Sequence, residues 1–325
     1  MRSLGKPALA LLAIGAVVFC GYVYLPYYSI GPGPAREVQP LIRIEGHPRY
    51  ESQGRFVLTS IEFAQLTAFG ILGAWLDPDE AVVPRDVLYA PGESVQQEQR
   101  RSISQMDRSK LDAASVVLHE LTSYPKDHGT GVLVEAVVSG CAADGELYPG
   151  DLIRSIDGAT VDTRRQASTA IQAAPSGSNL HFDVTVDGQP QHVSLVREPC
   201  GGQKDPLVGV SLMNSFPFAI TISSGAIGGP SAGLMFALGL YDLLTPGDLT
   251  SGRTIAGTGE IGVDGTVYPI GGVGEKVVAA AADDATVFLV PSENLADAQK
   301  AVGNRPIELV PVSSFDDALA YLQSS

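Results

Sequence analysis

The sequence predicts a mixed α/β (α+β) chain with a mostly-β module inside it and one apolar helix at its N-terminus. Three observations carry that prediction. An uncharged run covers Pro7 to Leu25, short β-branched strands punctuated by glycine fill 128–198, and apolar strands alternate with helical segments over 206–323. The 325 residues suffice for two modest domains with accessory elements.

At the N-terminus, Arg2 and Lys6 precede the uncharged 19 residues from Pro7 to Leu25. A helix of that length approaches the roughly 30 Å of a bilayer core. Tyr22, Tyr24, Tyr27 and Tyr28 crowd its far end, as interfacial aromatics do. Basic residues on the near side put a tip of 1–6 in the cytoplasm, a single-pass transmembrane anchor at 7–25 and the rest of the chain outside the cell membrane. A cleaved signal fits less well, because no small-x-small site follows the run. Phe19 is also bulky where lipoprotein processing at Cys20 wants a small residue.

Residues 29–50 hold Pro32, Pro34, Pro40 and Pro48 among glycines and read as an extended linker. Alternation over 54–63 predicts a strand, 64–76 a helix with an apolar face, and 94–121 a long helix with Gln and Arg outward. The 26–127 region is therefore a linker plus an α/β part. It is expected to dock on the later α/β module, which makes the β-rich module an insertion.

In that module, strands are expected at 131–137, 180–186 and 191–196, a turn at Asp157-Gly158, and a helix near 163–173. Beyond Cys200-Gly201-Gly202, an apolar helix runs from Ser231 to Leu244, then a strand at 286–290, a helix at 293–302, a strand at 307–310 and a helix at 314–322.

Composition removes some classes of function. With 21 basic against 36 acidic residues the net charge is −15, which argues against a nucleic-acid partner. No CxxC pair exists, and His119-Glu120 lacks the second histidine of HExxH, so no metal site is expected. No G-x-x-x-x-G-K-[ST] occurs, and no cofactor is expected. Cys141 and Cys200 are either a disulfide in an oxidising compartment or two small buried thiols, and redox context alone does not choose.

The chemistry concentrates in Gly228-Gly229-Pro230-Ser231-Ala232-Gly233. A serine at the head of a buried helix sits among unsatisfied amides that can stabilise an oxyanion. The string also fits G-x-S-x-G, but all five histidines precede Ser231, which is the wrong chain order for an α/β-hydrolase triad. Ser123-x-x-Lys126 fits another serine–lysine pattern, but Pro125 breaks the turn that would join them. Downstream of Ser231 the only lysines are Lys276 and Lys300. Lys300 lies in a polar helix; Lys276 opens the apolar stretch Val277-Val278-Ala279-Ala280-Ala281. Neutralising a free lysine at pH 7 costs about 4.6 kcal/mol. Burial among small apolar side chains lowers the pKa by about 3–5 units, enough to make it a base.

Two resemblances follow from quoted strings. "GELYPGDLIRSIDGATV" at 145–161, with the glycine-led strand before it, resembles a PDZ domain over 128–198. That implies recruitment of extended peptides, with Gly129, Thr130, Gly131 and Val132 as peptide-binding residues. "GGPSAGLMFALGLYDLLT", "IAGTGEIGVDGTVYPIGGVGEKVVAA" and "ATVFLVP" resemble the Lon-type proteolytic domain over 206–323. That implies a serine endopeptidase with Ser231 as nucleophile and Lys276 as general base. Thr258 and Glu260 of Thr258-Gly259-Glu260 would support the pair, and the Ser231 and Gly229 amides would serve as oxyanion donors. Energy-dependent Lon enzymes usually carry an acidic residue where Gly228 stands. The Gly-Gly form with anchor and PDZ module instead resembles bacterial PDZ-containing Lon-like proteases. Substrates would be peptides or unfolded segments cleaved without ATP, and the resemblance also implies a homo-oligomer. The rival expectation is a catalytically silent peptide-binding scaffold.

Overall fold

The computed structural model describes residues 6–225 and 227–324. Its largest unit is a six-stranded sheet in the order Glu308–Val312, Val287–Pro291, Thr254–Gly257, Arg55–Thr67, Tyr24–Glu37, Ala81–Pro84. The first four strands are parallel and the last two pairings antiparallel. Strand side chains alternate between faces. Phe56, Leu58, Ile255 and Leu289 accordingly enter one core, while Val57, Ala256, Phe288 and Val290 enter another. Helices Gly233–Leu244 and Phe315–Gln323 and part of the long helix Val95–Leu121 cover the first face. Helices Val273–Ala282 and Leu295–Val302 cover the second. The result is a three-layer α/β/α unit.

The N-terminal segment is part of that sheet. The span 29–50, expected as a linker, is instead mostly the strand Tyr24–Glu37, the short 3-10 helix Gln39–Leu41 and the strand Ile42–Glu45. Proline and glycine are tolerated there because the register with Arg55–Thr67 shifts between Pro32 and Ala35, and a bulge spares the missing N–H. The helix expected at 64–76 starts at Ala68, capped by Thr67, because the strand continues through Thr67. The anchor expected at 7–25 is a helix Lys6–Tyr22, and Leu25 already lies in the first strand. That helix has 17 residues, about 25 Å at 1.5 Å per residue. Among the described residues no helix is long and apolar enough to cross a membrane. Residues 1–5 of the tip expected in the cytoplasm lie outside the described residues.

The β-rich module has its own core, including Val132, Ile153, Phe182 and Leu195. Its sheet runs Val210–Asn214, Val132–Val137, Leu152–Ile156, Asn179–Val186, Gln189–Val196. The change of sequence character after Cys200 is not a structural break, since Val210–Asn214 closes this sheet before the chain returns to the α/β unit. Cys141 and Cys200 form a disulfide that closes a separation of 59 residues. In the chain-entropy account a loop of that size stabilises the folded state by about 4 kcal/mol. A Cys141→Ser/Cys200→Ser variant is therefore expected to lower the denaturant midpoint of this module, and an unchanged midpoint would contradict that.

Candidate active site

Ser231, Thr258 and Lys276 come from three separate elements and meet at the carboxyl end of the interior strand Thr254–Gly257. Thr258 directly follows that strand, and its N–H donates to the Leu289 carbonyl of the neighbouring strand. Lys276 sits in the first turn of helix Val273–Ala282. Ser231 lies in the turn before helix Gly233–Leu244, whose N-cap is Ala232. The helix thus starts two residues later than the sequence suggests, because Gly229, with φ of 82°, and Pro230 hold a turn there.

Lys276 Nζ lies 2.5 Å from Ser231 Oγ and 3.1 Å from Thr258 Oγ1. Thr258 Oγ1 donates its own proton to the Ser231 carbonyl at 2.9 Å, so toward the lysine it can only accept. The Gly259 N–H donates to the same carbonyl at 2.8 Å. The lysine is 2% exposed, and burial pushes its amine down from the usual lysine range to about 7. No salt bridge to a carboxylate holds its charge among the described residues. The positive end of its own helix acts in the same direction. An amine in that state takes the serine proton at neutral pH, which is what a hydroxyl nucleophile requires.

The long helix fixes the serine turn. Gly229 N–H donates to the Ser102 carbonyl at 2.7 Å, and Ser109 Oγ donates to the Pro230 carbonyl at 2.8 Å. Gly229, expected as an oxyanion donor, therefore has its amide committed elsewhere, and its part is the left-handed turn. Gly228 packs so closely that a Cβ there would lie 2.3 Å from Ser102 Oγ, with no room for an acidic side chain. The N–H groups of Ser231 and Ala232 have no partner among the described residues and sit at the positive end of helix Gly233–Leu244. Glu260 is exposed in the two-residue strand Glu260–Ile261 and has no hydrogen bond or ion pair to Ser231 or Lys276 among the described residues. Sequence reasoning missed Ser102 and Ser109. Their seven-residue spacing on one helix face is the signal that was there to find.

Residues 208–323 match the Lon protease (S16) C-terminal proteolytic domain. The chain carries a Lon-type proteolytic domain. Among curated relatives, "Lon protease" of Rickettsia bellii is 36% identical over 110 residues, 33% of this chain and 14% of that protein. "Lon protease" of Rickettsia typhi is 34% identical over 128 residues, 38% of this chain and 16% of that protein. The chain thus spans less than a fifth of the length of these Lon proteins. Residues 105–196 match the PDZ domain family. That match begins inside the long helix, although Met106, Ala113 and Val117 of the helix pack in the Lon-type core. A solved PDZ domain from a Listeria monocytogenes SdrC-like protein is 21% identical and covers 26% of this chain and 88% of its own, with a TM-score of 0.24.

The PDZ residues expected to bind peptide are placed differently. β-Strand addition needs an unpaired edge. Val132 belongs to a strand bonded on both sides, by Leu152–Ile156 and Val210–Asn214. Thr130 and Gly131 instead line a polar hollow with Arg154 and Asp162. Gly129 donates its N–H to the Ser215 carbonyl. The free edge beside helix Arg164–Ala173 is that of Val210–Asn214, the segment leading toward Ser231.

Two outcomes follow from the buried amine. In the unfolded chain Lys276 holds its proton up to about 10.4, whereas in the folded protein it loses it near 7, so stability rises with pH across that window. Lys276→Met removes that cost. It is expected to raise the thermal midpoint at pH 7 while abolishing hydrolysis, and an unchanged or lower midpoint would count against a desolvated lysine. Thr258→Val is expected to cut kcat about 100-fold, corresponding to about 2.7 kcal/mol of transition-state stabilisation, with Thr258→Ser restoring most of it.

Proposed function

We propose that this chain is a serine endopeptidase that cleaves peptides and unfolded segments without ATP, using Ser231 as nucleophile and Lys276 as general base. The observation that carries the reading is the 2.5 Å approach of a buried, unpaired lysine amine to the serine hydroxyl. Neutral Lys276 takes the Ser231 proton as Oγ attacks the scissile carbonyl. The Ser231 and Ala232 N–H groups face the oxyanion. The resulting ammonium hands its proton to the leaving amine as the tetrahedral species collapses to an ester. Water then repeats the sequence in reverse, with Lys276 again as base, and frees the acid.

ATP independence is supported by the lack of a phosphate-binding loop within these residues. An extracytoplasmic, membrane-anchored location is supported by the apolar helix Lys6–Tyr22 and by the Cys141–Cys200 disulfide, a bond that persists in oxidising compartments. Recruitment of an extended peptide fits the free edge of Val210–Asn214, with assembly into a homo-oligomer carried only by family habit.

The test is hydrolysis of a flexible peptide without ATP by the parent, Ser231→Ala and Lys276→Ala. Cleavage by the parent alone is expected, with the rate rising through a single ionisation near pH 7 as the lysine deprotonates. Failure of a serine-reactive probe to label Ser231 in the parent would sink the reading in favour of a silent peptide-binding scaffold.

A further inference from the structure

Residues 63–76 contain no charged side chain. Within them, helix Ala68–Leu76 turns Phe69, Leu72, Trp75 and Leu76 outward at 48%, 56%, 79% and 83% exposure, and only Ala74 is buried. A surface helix of a soluble protein keeps charge on its solvent face, and this one has none. It lies against the end of helix Lys6–Tyr22, where Gly21 faces the Phe69 ring. Exposed Tyr22, Tyr24 and Phe63 extend the same apolar character. The acidic run Asp77, Asp79, Glu80 begins immediately after it.

We propose that helix Ala68–Leu76 is a second membrane contact, lying in the plane of the lipid headgroups and holding the protease body against the bilayer. This rests on the reading of Lys6–Tyr22 as membrane-embedded. Lipid fits better than a protein partner for three reasons. Helix Lys6–Tyr22 exposes Leu11, Leu12, Ile14, Val17, Val18 and Phe19 around its circumference, whereas a protein partner would cover a single stripe. Its described residues reach roughly 25 Å against a bilayer core of about 30 Å, and a short span thins the bilayer around it, which brings the headgroup layer toward the surface beside its end. Tryptophan and tyrosine are the side chains that favour that depth.

The consequence for substrates is geometric. The strand feeding this helix also carries Ile61, which packs against Gly272 at the head of the Lys276 helix. Ile61 and Thr67 are six residues apart, about 20 Å along a strand. The head of the Lys276 helix is thereby held within about that distance of the lipid surface, with the active site one helical turn further on. The peptides it reaches are those at the membrane, such as the extracytoplasmic stubs next to transmembrane segments.

Trp75 is the sole tryptophan, which makes the test direct. The full chain, as Ser231→Ala to prevent self-cleavage, is reconstituted into phosphatidylcholine vesicles carrying lipids brominated at shallow or deep acyl positions. Expected results are flotation with the vesicles, a blue-shifted Trp75 emission and quenching of at least twofold, stronger from the shallow bromines. A Leu72→Ser/Leu76→Ser variant should still float but lose most of that quenching. Flotation with water-like emission would overturn the contact while leaving the anchor standing. A blue shift without lipid quenching would mean that protein covers the helix, which also overturns it. Failure to float would remove the anchor and this contact together.

Discussion

A primary amine held out of water without a counter-charge is the constraint on which the rest of this structure depends. Desolvation at Lys276 is unfavourable for the ammonium and so favours the free base. It is tolerated because the lysine stands on a helix that buries Val273, Val277 and Ala280 in the core, while its nitrogen finds the Ser231 and Thr258 hydroxyls. A single carboxylate in that place would hold the proton on the amine and remove the base. The surroundings offer hydroxyls and carbonyls instead. Their neutrality is as much a part of the site as the two reacting groups.

Bringing the lysine to the serine requires the three-layer arrangement. Lys276 lies on a helix on one face of the sheet and Ser231 in the turn that opens a helix on the other, and only at a strand end can their side chains meet. Thr258 occupies that strand end and is bonded both to the lysine and to the serine carbonyl. The turn carrying Ser231 is held from behind by Ser102 and Ser109. Those residues lie far upstream, so the N-terminal region and the Lon-type domain form one unit with the PDZ domain inserted between them. The insertion has a physical consequence. The free edge strand Val210–Asn214 and the serine turn lie on one short stretch of chain, joined through the pairing of Ala219–Ile222 with Ile42–Glu45.

Ser231, Lys276 and Thr258 were legible because each lies in a compact local string whose residue types state their chemistry. The helix Val95–Leu121 was legible from its periodicity, and the structure adds the Ser94 cap and its capping box with Gln97. Most of the misreadings turned on partners distant in sequence. Gly229 looked like a free donor until Ser102 supplied the acceptor. Pro32 and Pro34 suggested a linker, since local composition does not reveal that a bulge lets them sit in a sheet. Val132 looked like a peptide-binding residue, yet its strand is paired on both sides, by Leu152–Ile156 and Val210–Asn214. Glu260 was implicated by its neighbours in sequence, but strand alternation turns it outward.

The most direct measurement is the titration of Lys276 itself, by nuclear magnetic resonance of a selectively labelled side chain in the folded protein. The account predicts a midpoint close to 7, with the amine largely neutral at pH 8. A midpoint above about 9, near that of a solvated lysine, would contradict it, because the serine would then have no base at physiological pH.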